Sequence, residues 1–163
     1  RRWSAPAAAS DGEPFAELSA ERVRAAGRRR HPWLHRAVDS QASGRSAEAL
    51  EQLALSKRID PYYSDIFLHF TGQAHYSLGN WEEAAKALKE RAARNPHTDI
   101  SRVLLAACYG QMGRHDEARA MWAEAHKVNP ESSFEHRRRT LPYKDPGEIE
   151  RIAEGLRKAG IEV

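Results

Sequence analysis

The sequence predicts an all-α fold, a right-handed solenoid of about three stacked helical hairpins closed by C-terminal capping helices. Three observations predict it. The stretch "SLGNWEEAAKALKERAARNP" (77–96) returns 34 residues later as "QMGRHDEARAMWAEAHKVNP". The copies agree at Gly79/Gly113, Glu83/Glu117, Ala84/Ala118, Glu90/Glu124, Asn95/Asn129 and Pro96/Pro130. Between these punctuation marks, apolar residues recur at helical spacing. No βαβ or strand-hairpin pattern competes. A helix pair of this length cannot bury its own apolar face, so copies stack on one another.

The elements follow in order. Residues 1–30 read as a linker or poorly ordered segment; "RRWSAPAAASDGEP" opens it, and Phe15, Leu18 and Val23 would share a face of a helix over Phe15 to Ala26. Residues 31–61 form a degenerate first repeat. Its opening helix, Trp33 to Ala42, is polar, whereas its second, Ser46 to Ile59, carries Gly44, Glu48, Ala49, Leu53 and Asp60-Pro61 in register with the next copy at an offset of 35.

Residues 62–95 are the second repeat. Ser64 or Asp65 caps a helix to Leu78 with Ile66, Phe67, Phe70, Ala74 and Leu78 spaced for one face. Gly79-Asn80 breaks it, because glycine relieves the backbone where a helix ends. Trp81 to Ala93 follows, with Trp81, Ala84, Ala85, Leu88 and Ala92 on one side. Proline disfavours helical geometry in the residue before it, so Asn95-Pro96 is a stop. Residues 96–129 repeat the plan. Asp99 or Ser101 starts a helix with Val103, Leu104, Ala107 and Cys108, and His115 to Val128 turns Ala118, Trp122 and Ala125 inward.

Residues 130–163 supply the polar cap that a solenoid end needs. Ser133 starts a short helix over Phe134 to Thr140, and Leu141-Pro142-Tyr143 is a kink. Asp145-Pro146 then begins a last helix with a capping residue and a first-turn proline. Ile149, Ile152, Ala153, Leu156 and Ala159 face inward, and Gly160 ends it.

Composition narrows the function classes. The chain has 163 residues, 40% apolar and 30% charged, enough for one folded domain. No apolar run is long enough to span a bilayer. One cysteine, Cys108, makes neither an internal disulfide nor a cysteine metal site, and a cytoplasmic location is expected. The chain begins at Arg1 and reads as a fragment or processed chain. Its net charge of +3 sits in residues 1–44, with 8 basic and 5 acidic groups; the repeats are balanced. That argues against a nucleic-acid face spread over the molecule.

Catalytic signals are missing. Neither GxxxxGK[ST] nor GxGxxG is present, and no Ser or Cys has a nucleophile's setting. His31, His35 and Asp39 fall at i, i+4 and i+8, but Pro32 makes His31 a cap, so no metal or cofactor is assigned. The run Arg137–Arg139 is flanked by Glu131 and Glu135 and reads as a solvated face. Arg28, Arg29 and Arg30, beside Trp33, are a candidate basic contact. They make a nucleic-acid site over residues 22–36 the second reading, with the salt dependence of phosphate contacts as its mark.

Gly, then Glu-Ala, then Asn/Asp-Pro in three registers resembles the tetratricopeptide repeat (TPR) family over about residues 31–130. Thr71, His75 and the first repeat's opening helix depart from its usual large aromatics and leucines. The strings "DPYYSDIFLHFTGQAHYSLG", "SRVLLAACYGQMGR", "HKVNPESSFEHRRRTLPYKDP" and "IAEGLRKAGI" are similar to the C-terminal repeat region of bacterial class III adenylate/guanylate cyclases. Related tails occur on other bacterial signalling proteins. This resemblance, over about residues 45–163, implies a non-catalytic regulatory or oligomerising tail, with any catalytic domain before Arg1. The paired metal aspartates of cyclase chemistry need a β-sheet domain that these residues do not encode.

In stacked helix pairs the first helix of each pair lines the concave side. The candidate groove is therefore Ile66, His69, Phe70, Gln73, Tyr76 and Ser77 with Val103, Leu104, Ala107 and Gln111, selectivity resting on His69, Gln73 and Tyr76. Chaperone-binding members of the family clamp a peptide carboxylate with Lys, Asn and Arg here. Leu34, Val38, Phe70, Ile100 and Leu104 cannot do that. The groove would instead favour an extended or helical peptide with apolar anchors. It could equally receive another part of the same polypeptide or a second copy.

Overall fold

The computed structural model describes residues 39–40, 44–59, 62–130, 133–135, 138 and 146–163. Among them lie six long α-helices and no strand: α1 (Ser46–Ile59), α2 (Ile66–Ser77), α3 (Trp81–Arg94), α4 (Ile100–Gln111), α5 (His115–Val128) and α6 (Pro146–Lys158). Helices α2 and α3 form one antiparallel hairpin and α4 and α5 the next. Helix α3 packs on α4, α1 packs on α2, and α6 lies on α4. The expected helix over Phe15 to Ala26, the 141–143 kink, His31, His35 and Arg28–Arg30 lie outside the described residues.

The ends of the helices explain the repeat. Gly79, Gly113 and Gly160 each take a φ near +75°, a conformation that costs glycine nothing. Each sits two residues past the last residue of its helix and closes the same pair of bonds. Asn80 N–H donates to the His75 carbonyl and Gly79 N–H to that of Tyr76. Arg114 with Gly113, and Ile161 with Gly160, repeat this on Tyr109 with Gly110, and on Leu156 with Arg157. Helices α3 and α5 stop at Asn95 and Asn129, whose φ of −130° and −140° leave the helix just before proline.

Those two asparagines do more than stop a helix. Asn95 Nδ2 donates to Asp65 Oδ2 at 3.2 Å, and Asn129 Nδ2 to Asp99 Oδ2 at 3.0 Å. Each bond ties the end of a hairpin's second helix to the start of its first. Asp99 also accepts from the Ile100 N–H at 2.6 Å as the α4 cap.

Small side chains let the helices approach. Ala49, Ala74, Ala84, Ala106 and Ala118 are fully buried, and Leu88 fills the space above Gly72. Three expectations are corrected. Leu78 is 44% exposed because it is the α2 cap, where the chain leaves the helix. Trp81 and Trp122 lie partly buried at the edge of the core rather than inside it. Trp81 opens α3 and meets Tyr76 edge-on at 4.8 Å, while the Trp122 ring leans on His126 at 4.6 Å. Of the tandem tyrosines, Tyr63 staples the turn onto Phe67, between Lys57 and Arg94, and Tyr62 is exposed.

Candidate partner-binding groove

Helices α2 and α4 each place the residues that periodicity assigns to a concave surface, and the structure sorts those ten residues into four groups. Ile66 and Phe70 are half-buried and flank the small cluster of Leu53 and Phe67. Val103 and Leu104 are buried in the main core.

His69 and Gln73 are also buried, and His69 belongs to a polar network. His69 Nδ1 lies 3.0 Å from Ser101 Oγ, which accepts from Arg91 Nη1 at 2.5 Å. Arg91 Nε in turn donates to Asp65 Oδ2 at 3.2 Å. Ser101 can then donate to a neutral imidazole. Burial, with the Arg91 charge adding to it, holds His69 well below the usual histidine range. With Ser101 fully buried, this serine–histidine pair has no route to a substrate. The side chains join α2, α3 and α4. His69 therefore turns its Nδ1 inside the protein, at a position that the sequence assigns to a partner contact.

The remaining residues, Tyr76, Ser77, Ala107 and Gln111, meet at one place, and α6 lies on them. Tyr76 Oη donates to the Arg151 carbonyl at 2.8 Å, and Gln111 Nε2 reaches the same oxygen at 3.4 Å. Ser77 Oγ lies 2.9 Å from Glu148 Oε1. Lys158 Nζ donates to Gln111 Oε1 at 2.7 Å. Burial pushes the Tyr76 phenol well above its ordinary range, so it is a hydroxyl donor at any physiological pH.

At the centre of this crossing the backbones touch. A Cβ on Gly110 would sit 1.8 Å from the Gly155 carbonyl oxygen, and one on Gly155 would sit 2.6 Å from that of Ala107. Around it α6 buries Ile149, Ile152, Ala153 and Leu156, and the turn that follows buries Ala159, the inward face that the spacing predicts. The sequence offered another part of the same polypeptide as one occupant of these candidate positions, without pointing to α6. The available signal was Gly110 and Gly155, two glycines in helix interiors, where glycine costs about 1 kcal/mol relative to alanine unless packing needs it.

Among the described residues no helix is long and apolar enough to cross a membrane, and no cluster of His, Cys, Asp or Glu could hold a metal ion. Cys108 is buried, and burial pushes its thiol up, away from the reactive thiolate.

Capped hairpins at a 34-residue interval, joined through small residues and carrying a helix on their first helices, define a TPR-type solenoid. Residues 40–125, more than half of the chain, match the family described as anaphase-promoting complex, cyclosome, subunit 3, and the chain belongs to that family. Three solved structures share the fold. The crystal structure of MamA has a TM-score of 0.61 at 20% identity, covering 85% of this chain and 81% of that one. MamA AMB-1 has 0.55 at 22%, covering 78% and 69%, and MamA MSR-1 has 0.54 at 18%, covering 84% and 75%. At these identities the likeness is one of fold alone. The "Putative adenylate cyclase 3" of Rhizobium meliloti (strain 1021) is 50% identical over 46 residues. That stretch is 28% of this chain and 8% of that protein. Family and fold support a protein–protein interaction module.

Proposed function

We propose that this chain is a non-catalytic interaction module, the regulatory or oligomerising tail of a bacterial signalling protein such as a class III adenylate/guanylate cyclase. The observation that carries the interaction reading is the seating of an amphipathic helix on α2 and α4. A surface that packs one such helix has the shape and apolar chemistry to bind another. The cyclase context is supported by the 46-residue match at 50% identity. It is also supported by the strings that close the chain.

The test uses the parent polypeptide. Nucleotide cyclisation and sedimentation are measured with and without residues 40–163. A tail of this kind changes the turnover rate, the oligomeric state or both on removal. If both stay the same, the proposal fails.

A further inference from the structure

We propose that α6 is a resident occupant of the partner groove, and that the partner is an amphipathic helix written in the pattern of α6, which displaces it. The proposal rests on the interaction reading above and adds what enters the groove and what guards it.

The contacts of α6 define the ligand. Ile149, Ile152, Ala153 and Leu156 stand at i, i+3, i+4 and i+7, one apolar stripe of a short helix. Gly155 beside that stripe removes the side chain where the two backbones cross, so any helix entering here needs glycine at that position. Glu148 at one end meets Ser77, and Lys158 at the other meets Gln111. A carboxylate at the start and an ammonium at the end fix the direction in which a helix lies. None of these features depends on the occupant belonging to the same chain.

The attachment of α6 is of a kind that can be exchanged. Helices α2, α3 and α4 each pack on two or more of the other long helices, whereas the outer helices rest chiefly on one each, α6 and α5 on α4 and α1 on α2. Among the described residues, Arg157 and Arg138 hold Glu150, Lys158 holds Glu154, and Arg151 lies 3.9 Å from Glu148. Tyr76, Ser77 and Gln111 donate to α6; the Ser77 hydroxyl has the Gln73 carbonyl at 3.1 Å to fall back on, so release of α6 leaves the Tyr76 and Gln111 donors aimed into an open groove. A helix of matching pattern restores them.

The experiment uses the whole chain and a fluorescent peptide of residues 145–163, read by anisotropy. The resident helix makes the wild-type chain a weak binder. Gly155→Leu in the chain evicts that helix and tightens peptide binding by about ten-fold or more, since a fractionally open site pays for its closed population. Gly155→Leu in the peptide abolishes binding. A Gly155→Leu chain that keeps its helical content yet binds no tighter than wild type overturns the proposal. Amide hydrogen exchange on the wild-type chain tests it without any variant. An exchangeable α6 opens about ten-fold or more faster than α3 and α4. Exchange of α6 in one unit with α3 and α4 makes it a permanent part of the core and sinks the idea. That result leaves the interaction reading standing on other faces, whereas an inert tail in the parent polypeptide leaves peptide exchange measurable.

Discussion

The two complete hairpins share a frame and differ inside it. Both begin at an aspartate, Asp65 or Asp99, clasped by the asparagine thirty residues on. Both turn on a left-handed glycine. Where α2–α3 places His69 and Arg91, α4–α5 has Val103 and Ala125, all four buried. Where α2 has Tyr76, α4 has Gly110. The first hairpin is thus joined to its neighbour by a polar network, the second to α6 by backbone contact. Caps and clasps are what make a repeat. The inner faces are free to diverge because each meets a different neighbour.

The two hairpins differ most in what they tolerate at the glycine crossing. Gly110→Leu would force apart two helices in backbone contact. It should cost about 3 kcal/mol or more in urea unfolding, at the upper end for overpacking. Gly72→Ala meets only the Leu88 side chain, at 2.5 Å from Cγ, and should cost about 1–2 kcal/mol, because a side chain can move where a backbone cannot. A ranking of these two in the opposite order would show that the crossing is loose.

Arg91→Ala removes the charged centre of the first hairpin's network. Breaking a buried pair costs about 3–5 kcal/mol, but Asp65 keeps solvent contact at 30% exposure, so about 2–3 kcal/mol is expected. A loss below about 1 kcal/mol by the same measurement would make the network ornamental.

A smaller effect depends on pH. His69 is neutral in the folded protein, while the unfolded chain takes up a proton near the ordinary value of 6.5. The unfolded state therefore binds more protons as pH falls below 6.5, and the His69 contribution, fully present above it, is lost. The slope reaches about 1.4 kcal/mol per pH unit. His69→Val, which copies Val103, should flatten the acid limb of stability against pH by that amount. His75, also held low by burial, keeps its own smaller slope in both proteins. Parallel limbs would show that His69 does not titrate on unfolding.

The smallest expected effect compares the aspartates. Asp99→Ala loses a helix cap and a clasp and should cost about 1 kcal/mol by thermal or urea unfolding. Asp65 makes no cap bond of its own but holds Arg91 and Asn95, so Asp65→Ala should cost more. Equal losses would mean that the clasp, not the network, dominates both.

The helices were legible because their ends are written in residues with one physical job: Gly79, Gly113 and Gly160 for left-handed turns, Asn-Pro for stops. The observed α1 and α5 coincide with the stretches read as Ser46 to Ile59 and His115 to Val128. The convergence of Tyr76, Ser77, Ala107 and Gln111 follows from helical spacing and stacking. The occupant does not. It depends on where the chain returns after α5, which no local pattern encodes. The burial of His69 was hidden for a different reason. A histidine on a half-polar helix face looks like a surface residue until Arg91 and Ser101, 22 and 32 positions away, are placed beside it.

The contacts of α6 also separate in time. Tyr76 meets Arg151 across 75 positions and Ser77 meets Glu148 across 71, whereas each hairpin closes on near neighbours in sequence. Local helical contacts form in microseconds to milliseconds. During synthesis, at about 5–20 residues per second, the thirty residues from the end of α5 to the end of α6 take about 2–6 seconds. For that interval the nascent chain carries both hairpins without α6 on them. A helix of the right pattern on a polypeptide already present can reach the nascent chain before its own α6 competes, so during translation the exchange needs no eviction.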